Sequence, residues 1–229
     1  ASRRPGTITN GERKSLMHEL KAPDNSMMTQ MTSLHEERLD FVLRTLKSTG
    51  ARRVLDLGCG SGSLLYRMLA DPQFESITGL EDSGVSLQQA RAALAEYLCE
   101  ETPRIRLVRG SYAESNPALT GYDAAAMVET IEHVRPEQLS RVERAVFGEC
   151  RPGYLFMTTP NREYNPLFDL APGEFREEDH KFEWDRPKFQ RWARGVAERN
   201  GYDVRFGGIG DYVPDVGHPT QTAFFTRRD

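Results

Sequence analysis

The run Arg53-Val54-Leu55-Asp56-Leu57-Gly58-Cys59-Gly60-Ser61-Gly62 constrains this chain more than any other feature. It is a short β-rich segment emptying into a glycine-rich turn, and Ser63 to Ala70 beyond it reads as a helix. Glycines at alternate positions let the backbone approach a ligand where a side chain would block it, with a helix N-terminus close by. A tight strand-to-helix turn without ligand is the plain alternative, because a glycine pattern alone is weak. The surrounding alternation supports the first reading. Ile77 to Glu81 reads as a second strand, Leu87 to Leu98 as a helix, and Ile105 to Val108 as a third strand. A fourth strand ends at Val128, a fifth covers Tyr154 to Thr159, and two late β-like runs cover Asp203 to Phe206 and Thr222 to Phe225. Strands alternating with helices predict a doubly wound, largely parallel α/β sheet.

Two acids suggest what the glycine loop holds. Asp56 lies two residues before the first glycine, where a pyrophosphate would meet repulsion and an ammonium group would be welcome. This favours S-adenosylmethionine over a nicotinamide dinucleotide. Glu81, about twenty residues beyond the loop at a strand end, is placed to accept hydrogen bonds from two ribose hydroxyls.

The flanks bound the rest. Residues 1–30 are polar and broken by Pro5, Gly6, Gly11 and Pro23, which predicts a loose arm ahead of one domain over 31–229. The start at Ala1, without methionine, points to a processed protein or a piece of a longer one. Ser33 with Glu36 reads as a capping box opening a helix along Leu34, Arg38, Val42 and Leu46 to Gly50. No apolar run reaches membrane-span length, so a cytoplasmic protein without a membrane partner is expected. Cys59, Cys99 and Cys150 are scattered, which suits free thiols. A net charge of −4 argues against a long electrostatic track for nucleic acid and still permits a short or terminal one.

A second constellation follows the fourth strand. In Glu129-Thr130-Ile131-Glu132-His133 the spacing i, i+3, i+4 puts two carboxylates and an imidazole on one helical face, just beyond a strand end where α/β sheets place ligands. His180 falls in a long insertion over about 160–185, beside the same cleft. Glu129, Glu132, His133 and His180 together offer two oxygens and two nitrogens to one divalent ion. That set favours Mn²⁺ over an all-oxygen Mg²⁺ site, with Co²⁺, zinc and iron as alternatives. Asn161, Arg162, Tyr164 and Asn165 leave the fifth strand toward this edge, either to hold a substrate or to cap and pack the loop. Asp185 with Pro187 starts a helix to Asn200-Gly201, in which Phe189, Trp192 and Val196 read as core. Arg186, Lys188, Arg191 and Arg194 on it read as a phosphate path or a solvated face.

The segment Val54 to Gly62 resembles the signature of class I S-adenosylmethionine methyltransferases, which implies a Rossmann-like, mostly parallel seven-stranded sheet with helices on both faces. The resemblance sets Asp56, Gly58 and Gly60 around the methionine moiety, Glu81 at the ribose and Ser111 at the adenine edge. Glu129-x-x-Glu132-His133, Thr158-Thr159-Pro160-Asn161-Arg162-Glu163-Tyr164-Asn165, His180-x-Phe182-Glu183-Trp184 and Pro219-Thr220-Gln221 resemble, over roughly residues 33 to 226, the Hen family of small-RNA methyltransferases. That family methylates the 2′-oxygen of the 3′-terminal ribose, which implies an RNA 3′ end with free 2′,3′-hydroxyls as substrate. It makes Glu129, Glu132, His133 and His180 the catalytic residues. Similarity to bacterial members implies RNA repair beside an end-healing and sealing kinase-phosphatase-ligase. A catechol-type small-molecule O-methyltransferase and a noncatalytic RNA-end-binding module are the competing readings.

Overall fold

A computed structural model describes residues 25–229, with side chains from residue 31 onward. Residues 1–24 of the expected arm lie outside the described residues. The first helix, α1, runs Asn25–Ser48 and so begins inside the segment read as arm, eight residues before Ser33. The capping-box reading of Ser33 and Glu36 is therefore corrected. Pro23 is the last helix breaker before Gly50, and the methionine-rich stretch after it extends the helix toward the N-terminus.

All seven strands form one sheet. β1 (Arg53–Leu57), β2 (Ser76–Glu81), β3 (Ile105–Arg109), β4 (Ala124–Val128), β5 (Tyr154–Pro160), β6 (Tyr202–Ile209) and β7 (Thr220–Arg227) take the order β3-β2-β1-β4-β5-β7-β6. The first five pair in parallel, while β7 lies antiparallel to both neighbours. Parallel strands need both faces covered, and the central strands are accordingly apolar on both. Leu55, Ala125, Leu155 and Phe225 point into one core with Val142, Phe147 and Val196. Val54, Ala126 and Phe156 point into the other with Val42, Leu46 and Met68. Each fully buried Leu, Val or Phe contributes about 1.5–3 kcal/mol.

α2 (Ser63–Leu69) follows the glycine loop, and α3 (Gly84–Ala93) follows β2 with Ser83 as N-cap. α4 (Ala95–Leu98) and α5 (Leu139–Val142) are short. α6 (Arg186–Asn200) matches its expected span: the Asp185 side chain accepts from Lys188 N at 2.7 Å, and Gly201 ends it at φ 74°. Phe189 and Val196 are buried, and Trp192 packs on Trp184 with ring centroids 5.0 Å apart. α1 docks on α2 through ion pairs from Arg67 to Glu36 and Asp40. Further along α1, Arg38 reaches across the C-terminal strand edge, donating to Thr220 Oγ1 at 3.1 Å.

Candidate active site

Two cavities adjoin at the C-terminal ends of the parallel strands. The first, of about 270 Å³, lies over the glycine loop between Asp56, Gly58, Gly60 and Ser63, with His35 and Arg38 of α1 as its roof. Gly58, Gly60 and Gly62 have φ of 81°, 53° and 91°, a region where a side chain is strained. At Gly58 a Cβ would also meet Thr130 Cγ2 at 2.5 Å, so only glycine fits there. Gly58 N and Cys59 N donate to Leu80 O at 2.8 and 3.0 Å, tying the loop to the end of β2.

Asp56 is buried, and burial first, then the charge of Glu81, pushes its carboxyl up to about 7. A cationic ligand group there would relieve that cost. Glu81 accepts from Gly60 N at 2.9 Å and Ser83 N at 2.8 Å, so the carboxylate braces the loop; it does not itself line the cavity. Its oxygens retain lone pairs for further donors. Ser111 caps its own turn after β3, accepting from Ala113 N at 3.1 Å, and also stands outside the cavity lining.

The second cavity, of about 520 Å³, is lined by Glu129, His133, His180, Arg38, Arg176 and Asp179 among others. Glu129 departs from the expected helical face. It has φ 49°, and its N–H donates to Thr158 O at 3.2 Å and Thr158 Oγ1 at 3.1 Å, prolonging the β4–β5 pairing. Helical geometry starts only with the 3₁₀ turn Ile131–His133. Glu129 consequently turns to α1, where Arg38 Nη2 lies 3.2 Å from its Oε2.

Glu132, His133 and His180 do converge, each offering a ligand atom within 4.8 Å of the others. Glu132 is fully buried; its Oε2 accepts from Thr159 Oγ1 at 2.9 Å, and its Oε1 has no partner among the described residues. Burial, and after it the charge of Glu129, holds the Glu132 carboxyl well above the usual range. Both imidazoles are tied at Nδ1, His133 to Asp179 Oδ2 at 3.0 Å and His180 to Glu183 Oε1 at 2.7 Å. Those contacts favour a proton on Nδ1 and leave each Nε2 lone pair free, the usual arrangement of metal-binding histidines. Burial lowers the His133 pKa, which also favours the neutral ligand form.

A divalent cation fits this donor set. Two buried carboxylate oxygens, Glu132 Oε1 and Glu129 Oε1, lack any hydrogen bond among the described residues, and an orphaned buried acceptor is costly unless something charged meets it. Glu183, buried beneath His180, is itself braced by Arg176 N at 2.7 Å and by Asn165 Nδ2. Arg176 in turn donates to Asn165 Oδ1 at 2.8 Å and Asn161 O at 2.7 Å.

This network reassigns three of the expected substrate residues. Asn161 is fully buried, donating to Val216 O and His218 O at 2.9 Å each and accepting from Glu163 N at 3.0 Å. Asn165 serves Glu183 and Arg176, and Tyr164 packs with Leu34, Phe168 and Ile209. Their polar or aromatic capacity is spent on packing the insertion, and Arg162 alone of the four is exposed. Arg38, Asp179, Arg176 and Thr159 are site residues that sequence reasoning missed. Glu183 was visible in its motif, three residues after His180, and that spacing could have flagged it.

Comparison with known proteins identifies the fold and the family. Residues 54–153 match the model of a methyltransferase domain family. The chain is 34% identical to the small RNA 2′-O-methyltransferase of Gallus gallus over 85% of its own length and 54% of that protein. It is 31% identical to that of Arabidopsis thaliana over 85% of itself and 22% of the relative. The chain thus spans about half the length, or less, of these curated relatives. A solved methyltransferase domain of bacterial CtHen1 superposes with a TM-score of 0.76 at 40% identity, covering 84% of this chain and 99% of that one. Small RNA methyltransferase HEN1 superposes with a TM-score of 0.79 at 32% identity, covering 85% and 25%. The fold is that of class I S-adenosylmethionine-dependent methyltransferases. The chain belongs to the Hen1 family of small RNA 2′-O-methyltransferases, matching its methyltransferase domain.

Proposed function

We propose that this domain transfers a methyl group from S-adenosylmethionine to the 2′-hydroxyl of the 3′-terminal ribose of RNA, with one divalent ion held by Glu132, His133 and His180. The observation that carries the reading is the orphaned Glu132 Oε1 facing two imidazoles whose Nδ1 atoms are already engaged, in a cavity that adjoins the one over the glycine loop. Glu129 is the fourth candidate ligand, with one oxygen unpartnered and the other on Arg38. When bound, such an ion supplies Lewis acidity that makes a sugar hydroxyl more acidic and favours a vicinal diol over a lone hydroxyl. Mn²⁺ suits the mixed oxygen and nitrogen set, ahead of Mg²⁺ or Co²⁺.

The residues divide the remaining work. Asp56 offers a buried carboxylate to the cofactor's ammonium group, Gly58 and Gly60 admit its chain, and Glu81 fixes the loop while keeping lone pairs for ribose hydroxyls. Arg38 and Glu129 line both cavities, so one ion pair separates cofactor from RNA end and sets the approach of the nucleophile to the methyl group. Asp179 and Glu183 hold the imidazole tautomers. Only a terminal ribose has both hydroxyls free, so the end is recognised without reading base sequence.

Methyl transfer from labelled S-adenosylmethionine with Mn²⁺ tests this, comparing an RNA ending in a 2′,3′-diol with its terminal 2′-deoxy and 3′-phosphate twins. Label on the diol alone is expected. Equal label on the 2′-deoxy end, or label on a catechol and on no RNA, would overturn the reading. Its setting in RNA repair, beside an end-healing and sealing kinase-phosphatase-ligase, rests on the resemblance to bacterial members, and co-purification of such an enzyme with the full-length protein checks it.

A further inference from the structure

Exposed cations gather on one flank of the metal pocket. Lys181 directly follows His180, and Arg162, Lys188, Arg191 and Arg194 are exposed as well. None of these five forms an ion pair among the described residues. The placement is continuous with the site. Lys181 N donates to Glu132 O at 2.8 Å, the chain from His180 leads straight to the Asp185 cap of α6, and Arg162 N donates to Trp184 O at 3.1 Å.

Along α6, residues 186, 190, 191 and 194 share one helical face. With Glu163 and Pro187 they line an open depression of about 540 Å³. Two acids near it are already engaged, while Asp211 and Asp215, on either side of Tyr212, are exposed. Glu163 takes two hydrogen bonds from the Arg186 guanidinium, at 2.7 and 3.2 Å, and Asp185 is used as the cap. Arg186 also donates to Asp215 O, which fixes the β6–β7 connection against the helix. That connection carries Tyr212, 62% exposed and three residues before Asp215, with its ring 5.2 Å from that of His218. Arg194 lies over the Phe206 ring at 4.9 Å, which orients the side chain while its guanidinium stays at the surface.

In a chain of net charge −4, cations without an ion-pair partner among the described residues, with an exposed aromatic ring on the connection that Arg186 holds, suit single-stranded nucleic acid, with phosphates at the cations and an unstacked base on the ring. We propose that this α6 face, with Tyr212, is the track for the single-stranded RNA just 5′ of the terminal nucleotide. The proposal rests on the RNA-end reading above. It explains how an acidic domain holds RNA without a basic surface overall: the charge is concentrated where the strand leaves the pocket.

The test compares a trinucleotide with a dodecamer, both single-stranded and ending in a 2′,3′-diol, in wild-type protein, in the double variant Arg191→Glu/Arg194→Glu and in Tyr212→Ala. In the double variant we expect the KM for the dodecamer to rise about tenfold and that for the trinucleotide about twofold or less. The salt slope of dodecamer binding should fall by about 1.4, at about 0.7 per lost phosphate contact on a single strand. Tyr212→Ala should weaken dodecamer binding at least about fivefold, from about 1 kcal/mol or more of stacking. An unchanged dodecamer KM in the double variant would overturn the track while leaving terminal methylation standing. A blunt duplex dodecamer with the same sensitivity to both variants would overturn its single-stranded character. Absence of methylation on both RNAs by the wild-type protein would overturn the RNA-end reading itself.

Discussion

The glycine loop and the pocket around Glu132, His133 and His180 are built in opposite ways. The loop takes Asp56, Gly58 and Gly60 from one contiguous segment and is braced by Leu80 and Glu81 at the end of the neighbouring strand. The second pocket takes Glu132 and His133 from a 3₁₀ turn, His180 from an insertion, Thr159 from β5 and Arg38 from α1. Local backbone geometry shapes the first, whereas the second exists only when distant segments pack. Buried polar groups left half-satisfied are expensive, so the pocket depends on its supporting network in a way the loop does not. A substitution in that network should therefore damage chemistry while sparing cofactor binding.

The largest test of that contrast is His180→Ala. It is expected to lower methyl transfer roughly a thousandfold, the loss of several kcal/mol of Lewis-acid stabilisation. Cofactor affinity, read by calorimetry, should stay near wild type. A parallel collapse of cofactor binding would show that the two regions are one cooperative unit.

Glu183→Gln probes the support beneath His180. Losing the carboxylate that ties Nδ1 should weaken Mn²⁺ binding about 10–100-fold. Titration with the metal alone reads this without reference to turnover. An unchanged affinity would break the argument that Glu183 holds His180 in its ligand tautomer.

The loop has its own signature in pH. Asp56, pushed up to about 7, is mostly protonated below that pH and must release its proton to face an ammonium group. Cofactor affinity should thus weaken as pH falls through 7, by up to about tenfold per unit. Asp56→Asn should flatten the profile, and a wild-type profile without slope between pH 6 and 8 would remove the ammonium from its assigned place. The same shift bears on the free protein. A carboxyl raised from 3.8 to about 7 favours folding fully below its unfolded value, and that contribution is lost as pH rises toward 7.

Much of the fold was readable, for a physical reason. Strand periodicity, glycine turns and the Asp185 and Gly201 signals are set by local backbone preferences, and these agreed with the tertiary packing throughout the sheet and in α6. The start of α1 was missed because Ser33-x-x-Glu36 is equally comfortable inside a helix. The face shared by Glu129, Glu132 and His133 was misread because sequence spacing cannot show that β4–β5 pairing continues one residue past the strand. Asn161 and Asn165 looked like substrate groups because an amide's partners are set by folding and are invisible in its own codon-by-codon neighbourhood.

By itself, the sequence determined the order of strands and helices, the glycine turn with its acid at Asp56, and the residue types able to hold a metal, because each is a matter of local conformation or of chemistry carried by a single side chain. The tertiary structure alone decided that His180 joins Glu132 and His133, that Glu129 turns to Arg38, and that Arg186 of α6 holds the β6–β7 connection that carries Tyr212. Those are contacts between segments far apart in the chain, and they are fixed by packing against the two cores of the sheet.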